Sequence, residues 1–205
     1  CWKRRDDLEL LRLVEYIHSS LDVMLEAKMD VTRDDVKIAM YVDSDFGADT
    51  DTARSTSGYV VGIENGESFF PLAWGCKRQG SISHSTPEAE VTAMDHGVRT
   101  DMLPLIMLWE EWLGRRVQGA IHEDNATAIV AVKKGYSSVM RYVSRTQKIS
   151  VGWLHEVIEK EGWDLLKIET SRQKGDMFTK LFDAIKWAHA LSLNNLRDVS
   201  KPAAT

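Results

Sequence analysis

Apolar and polar positions alternate between two periods along this chain, and the switch between them marks the elements. Residues 4–26 carry Leu8, Leu11, Val14, Tyr16, Ile17 and Leu21 at helical spacing, which predicts an amphipathic lead-in helix. A charged linker, KMDVTRDD, follows. VKIAMYVD (36–43) reads as a buried strand. SGYVVGI (57–63) and SFFPLAWGC (68–76) flank Asn65-Gly66, a strong hairpin signal between two β-rich runs. The pattern then turns helical over 85–114. Ser85 or Thr86 is placed as N-cap, Pro87 at the first helical position, and Pro104 at a kink or break. A short strand (117–124), a helix closed by Gly135 (125–135), a helix closed by Gly162 (145–162), a strand (163–170) and a last helix (175–196) complete the order.

This order, βββαβαβα, predicts an α/β fold: a mixed five-stranded sheet of three hairpin-linked strands and two crossover strands, flanked by helices. The expected division is a lead-in helix and linker over 1–35, one domain over 36–197, and a disordered tail over 198–205. The length of 205 residues suits one domain with an added element. No apolar run reaches the roughly 18 residues of a membrane helix, so no membrane is expected. The two cysteines, Cys1 and Cys76, form no CxxC pair, which argues against a disulfide framework or a zinc–thiolate site and favours a reducing compartment. Because the chain begins with Cys1 and not Met, it reads as a piece of something longer.

The net charge of −5 argues mildly against a nucleic-acid partner, but the charges are unevenly spread. Between Lys133 and Lys148 lie Lys133, Lys134, Arg141, Arg145 and Lys148, with Tyr136 and Tyr142 interleaved and no acid. The stretch is either a solvated basic face or a phosphate-contacting strip.

Four acids fall at comparable points of the topology. Asp43 ends the first strand, Glu90 sits near the start of the helix after the hairpin, Asp124 ends the fourth strand, and Asp176 opens the last helix. Strand ends converge in an open sheet. If the first and fourth strands are neighbours, Asp43 and Asp124 meet, and Glu90 and Asp176 close a cup. Clustered carboxylates repel one another unless cations offset them. Oxygen ligands favour Mg²⁺, with Mn²⁺ as the alternative, and two such ions roughly 3.5–4 Å apart form the usual clamp for displacement at phosphorus. Each acid also has a local reading: an N-cap for Asp124, a helix-dipole partner for Asp176, an exposed helical acid for Glu90, a turn residue for Asp43. The ordered set is more specific than any member.

The strings YVDSDFGADTDTARSTSGYVVGI, AWGCKRQGSISHSTPEAEVTAM, EDNATAI, SRTQKI and GDMFTK together resemble, in order and spacing, the ribonuclease H domain of copia-type long-terminal-repeat retrotransposon Pol polyproteins. The resemblance covers roughly residues 38–185, and the lead-in helix resembles the segment joining reverse transcriptase to that domain. It implies a ribonuclease H-like fold and divalent-metal-dependent cleavage of RNA in RNA–DNA hybrids. It implies Asp43, Glu90, Asp124 and Asp176 as catalytic and metal-binding acids, with two Mg²⁺ ions as cofactors. The implied partners are the hybrid and the reverse transcriptase of the same polyprotein, in a cytoplasmic, intracellular setting or within virus-like particles. Arg54, Ser55, Ser57, Lys77, Arg78, Asn125, Arg145 and Lys148 are the candidate substrate contacts. RNA would be recognised through its 2′-OH and duplex shape, with cleavage largely independent of sequence. Where family members read RTKHIDI, this chain has Lys148 and Ser150 in place of His and Asp. That departure keeps a second reading open: a weak or inactive ribonuclease H-like module that binds nucleic acid and braces a reverse transcriptase. A transposase or integrase core, the third reading, is disfavoured by the TSGYV and EAE strings. His84 is either near the substrate or a loop residue, and His155 reads as a helix-face residue. Trp109, Trp112, Trp153 and Trp187 are expected to pack in the core or against a neighbouring domain.

Overall fold

The computed structural model of the chain describes residues 2–26, 32–66 and 68–200; part of the linker and the tail beyond Ser200 lie outside them. The first helix, α1, spans Arg4–Ser19 and buries none of its residues. It is followed by a short strand, β1 (Val23–Leu25). Then come β2 (Lys37–Asp45), β3 (Thr56–Asn65) and β4 (Ser68–Arg78), α2 (Thr86–Gly97) and α3 (Leu103–Leu113), β5 (Gln118–Glu123), α4 (Ala126–Lys134), α5 (Val143–Thr146), α6 (Val151–Glu161), β6 (Asp164–Lys167), α7 (Ala184–Leu193) and β7 (Leu196–Asp198).

The five long strands form one sheet in the order β4-β3-β2-β5-β6. The β2–β3 and β3–β4 pairs are antiparallel, whereas β2–β5 and β5–β6 are parallel. This is the mixed five-stranded sheet that the pattern predicts. β2 lies at its centre, and residues 38–44 are buried without interruption, as expected for a strand covered on both faces. Ile38, Met40 and Val42 face a core built with Val91 and Met94 of α2, Ile106 of α3, Ile129 of α4 and Leu154 of α6. Ala39 and Tyr41 face a smaller cluster with Val60, Phe69 and Ala120, against which Phe178 packs. Full burial of each large side chain contributes about 1.5–3 kcal/mol.

Four regions differ from the sequence expectation. Residues 85–114 do not break at Pro104; a π-helical turn, Val98–Met102, separates α2 from α3, and Pro104 sits in the first turn of α3. The single helix expected over 145–162 is divided, because Lys148 takes φ 61° between α5 and α6. The last helix does not start at 175: Lys174–Phe178 is a 3₁₀ turn, and α7 begins at Ala184, capped by the Asp183 carboxylate. At the C-terminus, Asp198 ends β7, which pairs antiparallel with β1, and the Val199 N–H donates to the Asp22 carbonyl at 2.8 Å. The predicted disordered tail thus begins, within the described residues, as strand and turn. Of the tryptophans, Trp109 and Trp153 pack against the main core and Trp187 meets Tyr16 of α1 edge-on, while Trp112 is 69% exposed.

Candidate metal and nucleic-acid site

The parallel pairing of β2 and β5 sets the geometry. Its register ends with Tyr41 opposite His122, so Asp43 and Asp124 each lie two residues beyond the last pair and meet at the same end of the sheet. Glu90 enters from the second turn of α2, whose start is fixed by the Ser85 hydroxyl accepting from the Glu88 N–H. One carboxylate oxygen from each of Asp43, Glu90 and Asp124 lies within 4.8 Å of the others. Asp43 and Glu90 are almost fully buried. Asp124 is half-buried and accepts from the Thr170 hydroxyl at 2.8 Å.

Asp176 is placed beside this trio, not within it. It lies in the 3₁₀ turn, where its carboxylate accepts from Lys180 Nζ at 2.6 Å. The same ammonium reaches Asp43 Oδ1 at 3.2 Å, and the Thr179 hydroxyl donates to the other oxygen of Asp43. Sequence reasoning missed Thr179 and Lys180, although both stand in the GDMFTK string. It also missed Glu123, which is fully buried next to Asp124 and accepts from the Asn125 N–H at 2.9 Å.

Crowding of acids out of water raises their affinity for protons. Burial pushes Asp43 up to about 6, against the pull of Lys180 and Thr179. Glu90 is raised further, by burial first and then by the charges of Glu123 and Asp43. Glu123 is raised by burial above all. Asp176 is raised by burial too, with Lys180 opposing. Glu90 Oε2 is buried with no hydrogen-bond partner. Three converging carboxylates with such an orphaned oxygen fit a hard divalent cation. Asp43, Glu90 and Asp124 would hold it, with Asp176 at the rim.

The other candidates divide into two groups. Arg54, Lys77, Arg78, Arg145 and Lys148 are exposed, and Arg78 pairs with Asp49. The remaining three side chains make internal bonds. The Ser55 hydroxyl accepts from the Gly47 N–H at 3.2 Å, and the Ser57 hydroxyl accepts from Gln79 at 3.0 Å. Asn125 Oδ1 caps α4 by accepting from the N–H groups of Thr127 and Ala128. Ser150, at the departure from the family string, caps α6 by accepting from the Trp153 N–H at 3.1 Å. His84 is exposed on its loop, and His155 lies on α6 against Gly135. In the basic strip, Tyr136 and Tyr142 are 64% and 63% exposed, and the Arg141 guanidinium stands 5.5 Å from the centre of the Tyr142 ring.

Carboxylates thus gather at the ends of the central strands of the mixed sheet. By sequence, 144 residues, 69% of the chain, are 29% identical to the retrovirus-related Pol polyprotein from transposon TNT 1-94 of Nicotiana tabacum. The chain spans only 10% of that relative's length. No family model matches. Similar solved structures include LC11-RNase H1, isolated from compost by a metagenomic approach, with TM-score 0.48 and 14% identity over 68% of this chain and 90% of that one. Another is an N-terminal RNase H domain from Mycobacterium tuberculosis, with TM-score 0.47 and 14% identity over 77% and 98%. No helix among the described residues is long and apolar enough to cross a membrane.

Proposed function

We propose that this chain is a divalent-metal-dependent endonuclease that hydrolyses the RNA strand of RNA–DNA hybrids during retrotransposon reverse transcription. The observation that carries this reading is the convergence of Asp43, Glu90 and Asp124 within 4.8 Å. Bound Mg²⁺ or Mn²⁺, two ions in the complete site, would supply an activated water and neutralise the charge developing on the leaving oxygen. The protein's own part is to fix the carboxylates on rigid strands and a helix. Asp176 and Lys180 bound the site on one side. The exposed cations Arg54, Lys77, Arg145 and Lys148 are suited to backbone phosphates. Selection for RNA rests on the 2′-OH and duplex shape. The partners under this reading are the hybrid and the reverse transcriptase of the same polyprotein, and the setting is intracellular.

The test is incubation of the purified chain with a labelled hybrid and Mg²⁺ or Mn²⁺, beside Asp124→Asn. Internal RNA cuts in the wild type, reduced at least about 100-fold in the variant, are expected. The second reading, a non-catalytic brace for reverse transcriptase, is favoured by Lys148 and Ser150 standing where family members carry His and Asp. Hybrid binding by a folded chain that cuts nothing in either metal would establish it instead.

A further inference from the structure

Behind Glu90 runs a chain of buried and half-buried amides and hydroxyls that touches no reacting group. Its centre is Gln79, 4% exposed, one residue past the end of β4. The Gln79 N–H donates to the Ser55 carbonyl at 2.8 Å. Its side-chain Nε2 donates to the Ala89 carbonyl at 2.9 Å and to the Ser57 hydroxyl at 3.0 Å. Its Oε1 accepts from the Ser83 hydroxyl at 2.8 Å. Ser83 accepts in turn from Gln147 Nε2 at 3.1 Å, and that nitrogen also reaches the Ser81 carbonyl at 3.0 Å. The Ser81 hydroxyl closes the chain on the Thr146 carbonyl at 2.6 Å.

The two ends of the Gln79 amide meet the elements that supply the acids. The Ala89 carbonyl belongs to the same peptide plane as the Glu90 N–H. Ser57 of β3 pairs with Ser44 of β2, the neighbour of Asp43. One side chain therefore ties α2 to the central strands at the level of the carboxylates. Those carboxylates repel one another, and repulsion pushes α2 outward from the sheet unless something fixed holds it. A buried amide is a costly way to fill space, since an apolar side chain of the same volume needs no partners. Every polar atom of the Gln79 side chain is engaged, and its orientation is set from behind by Ser83 and Gln147.

We propose that Gln79 is a positioning residue for Glu90, with Ser83 and Gln147 orienting its amide, and that it acts by holding α2 at the distance from β2 that a divalent ion requires. This rests on the metal-site reading above. Its test is the Mn²⁺ affinity of the folded chain by titration calorimetry, read together with thermal melting in chelator. Removing an outer-shell support of a metal ligand lowers metal affinity by roughly 10-fold to 100-fold, and that loss is expected for Gln79→Ala. Gln79→Met keeps most of the volume without the hydrogen bonds, and it should bind Mn²⁺ equally poorly. Ser83→Ala frees only the back of the amide and should show a smaller loss in the same direction; it carries the test if both Gln79 variants fail to fold. Variants that melt lower yet bind Mn²⁺ with wild-type affinity would show a purely structural role and overturn the proposal alone. A wild type that binds no Mn²⁺ would overturn the metal-site reading, and this inference with it.

Discussion

Lys180 meets a charge problem that the fold creates at Asp43. That carboxylate is 2% exposed, and burial of an anion is costly unless a cation or donors face it. Lys180 and Thr179 supply them, and Lys180 serves Asp176 as well. Although burial works against its charge, the hydrogen bond to Asp176 and the field of Asp43 raise its pKa above the ordinary lysine value. Lys180→Met should therefore destabilise the chain in chelator by about 1–3 kcal/mol, the usual worth of hydrogen bonds to charged groups. Saturating Mg²⁺ should recover more stability in the variant than in the wild type, because the ion takes over the neutralisation. Urea denaturation with and without Mg²⁺ measures both terms; equal stability of variant and wild type in chelator would remove Lys180 from this role. The sequence shows Asp176 and Lys180 four residues apart, but it does not show that a 3₁₀ turn folds them over the end of β2. Nor does the sequence show how Glu123 and Asp124 divide their roles: Asp124 brings an oxygen within 4.8 Å of Asp43 and Glu90, whereas Glu123 is fully buried and acts on Glu90 through its charge.

Strands and capped helices were legible because their signals are local. β2 is a continuous apolar run, Asn65-Gly66 marks the hairpin turn, and Gly135 and Gly162 take the left-handed conformation just past α4 and α6. What failed was local in another sense. Lys148 adopts φ 61°, a conformation that a lysine gives no notice of, and it splits one expected helix into two. The 3₁₀ turn at Lys174–Phe178 owes its shape to tertiary contact, since it packs directly on β2 and β3. At Gly175 a Cβ would stand 3.1 Å from the Asp43 nitrogen. At Gly58 a Cβ would stand 2.5 Å from Thr179 Cγ2 and 2.9 Å from Phe178 Cβ. Gly58→Ala should thus lift the turn that carries Asp176, Thr179 and Lys180 away from Asp43. The expected cost is about 1–3 kcal/mol, as for overpacking of a tight contact, accompanied by weaker divalent binding. Thermal melting and metal titration of the same variant test the pair of effects. A stability loss with unchanged metal affinity would mean that the turn's contact with β3 does not set the site.

At the scale of the whole molecule, the sheet is held in register away from the acids by a second polar cluster. Glu64 of β3 accepts from the Tyr41 hydroxyl of β2 and faces His122 Nε2 of β5 at 3.3 Å. The Tyr41 and His122 rings stack 4.3 Å apart across the last β2–β5 register pair, two residues before Asp43 and Asp124. Three strands thus meet in one contact, and the acid end of the sheet inherits its alignment. Burial alone would raise the Glu64 pKa, but the bonds from His122 and Tyr41 outweigh it, and the net shift is downward from the model-peptide value of 4.5. A carboxylate whose folded pKa lies below its unfolded pKa binds fewer protons in the native state than in the unfolded one. Its contribution is therefore fully present above the unfolded pKa and is lost as pH falls through the folded pKa. Glu64→Gln should cost about 1–3 kcal/mol near neutral pH, and the gap between variant and wild type should narrow as pH drops below about 4.5. Urea denaturation of both proteins at neutral pH and at about pH 3.5 reads that gap directly. A gap that stayed constant across this window would mean that Glu64 acts through packing and not through its charge.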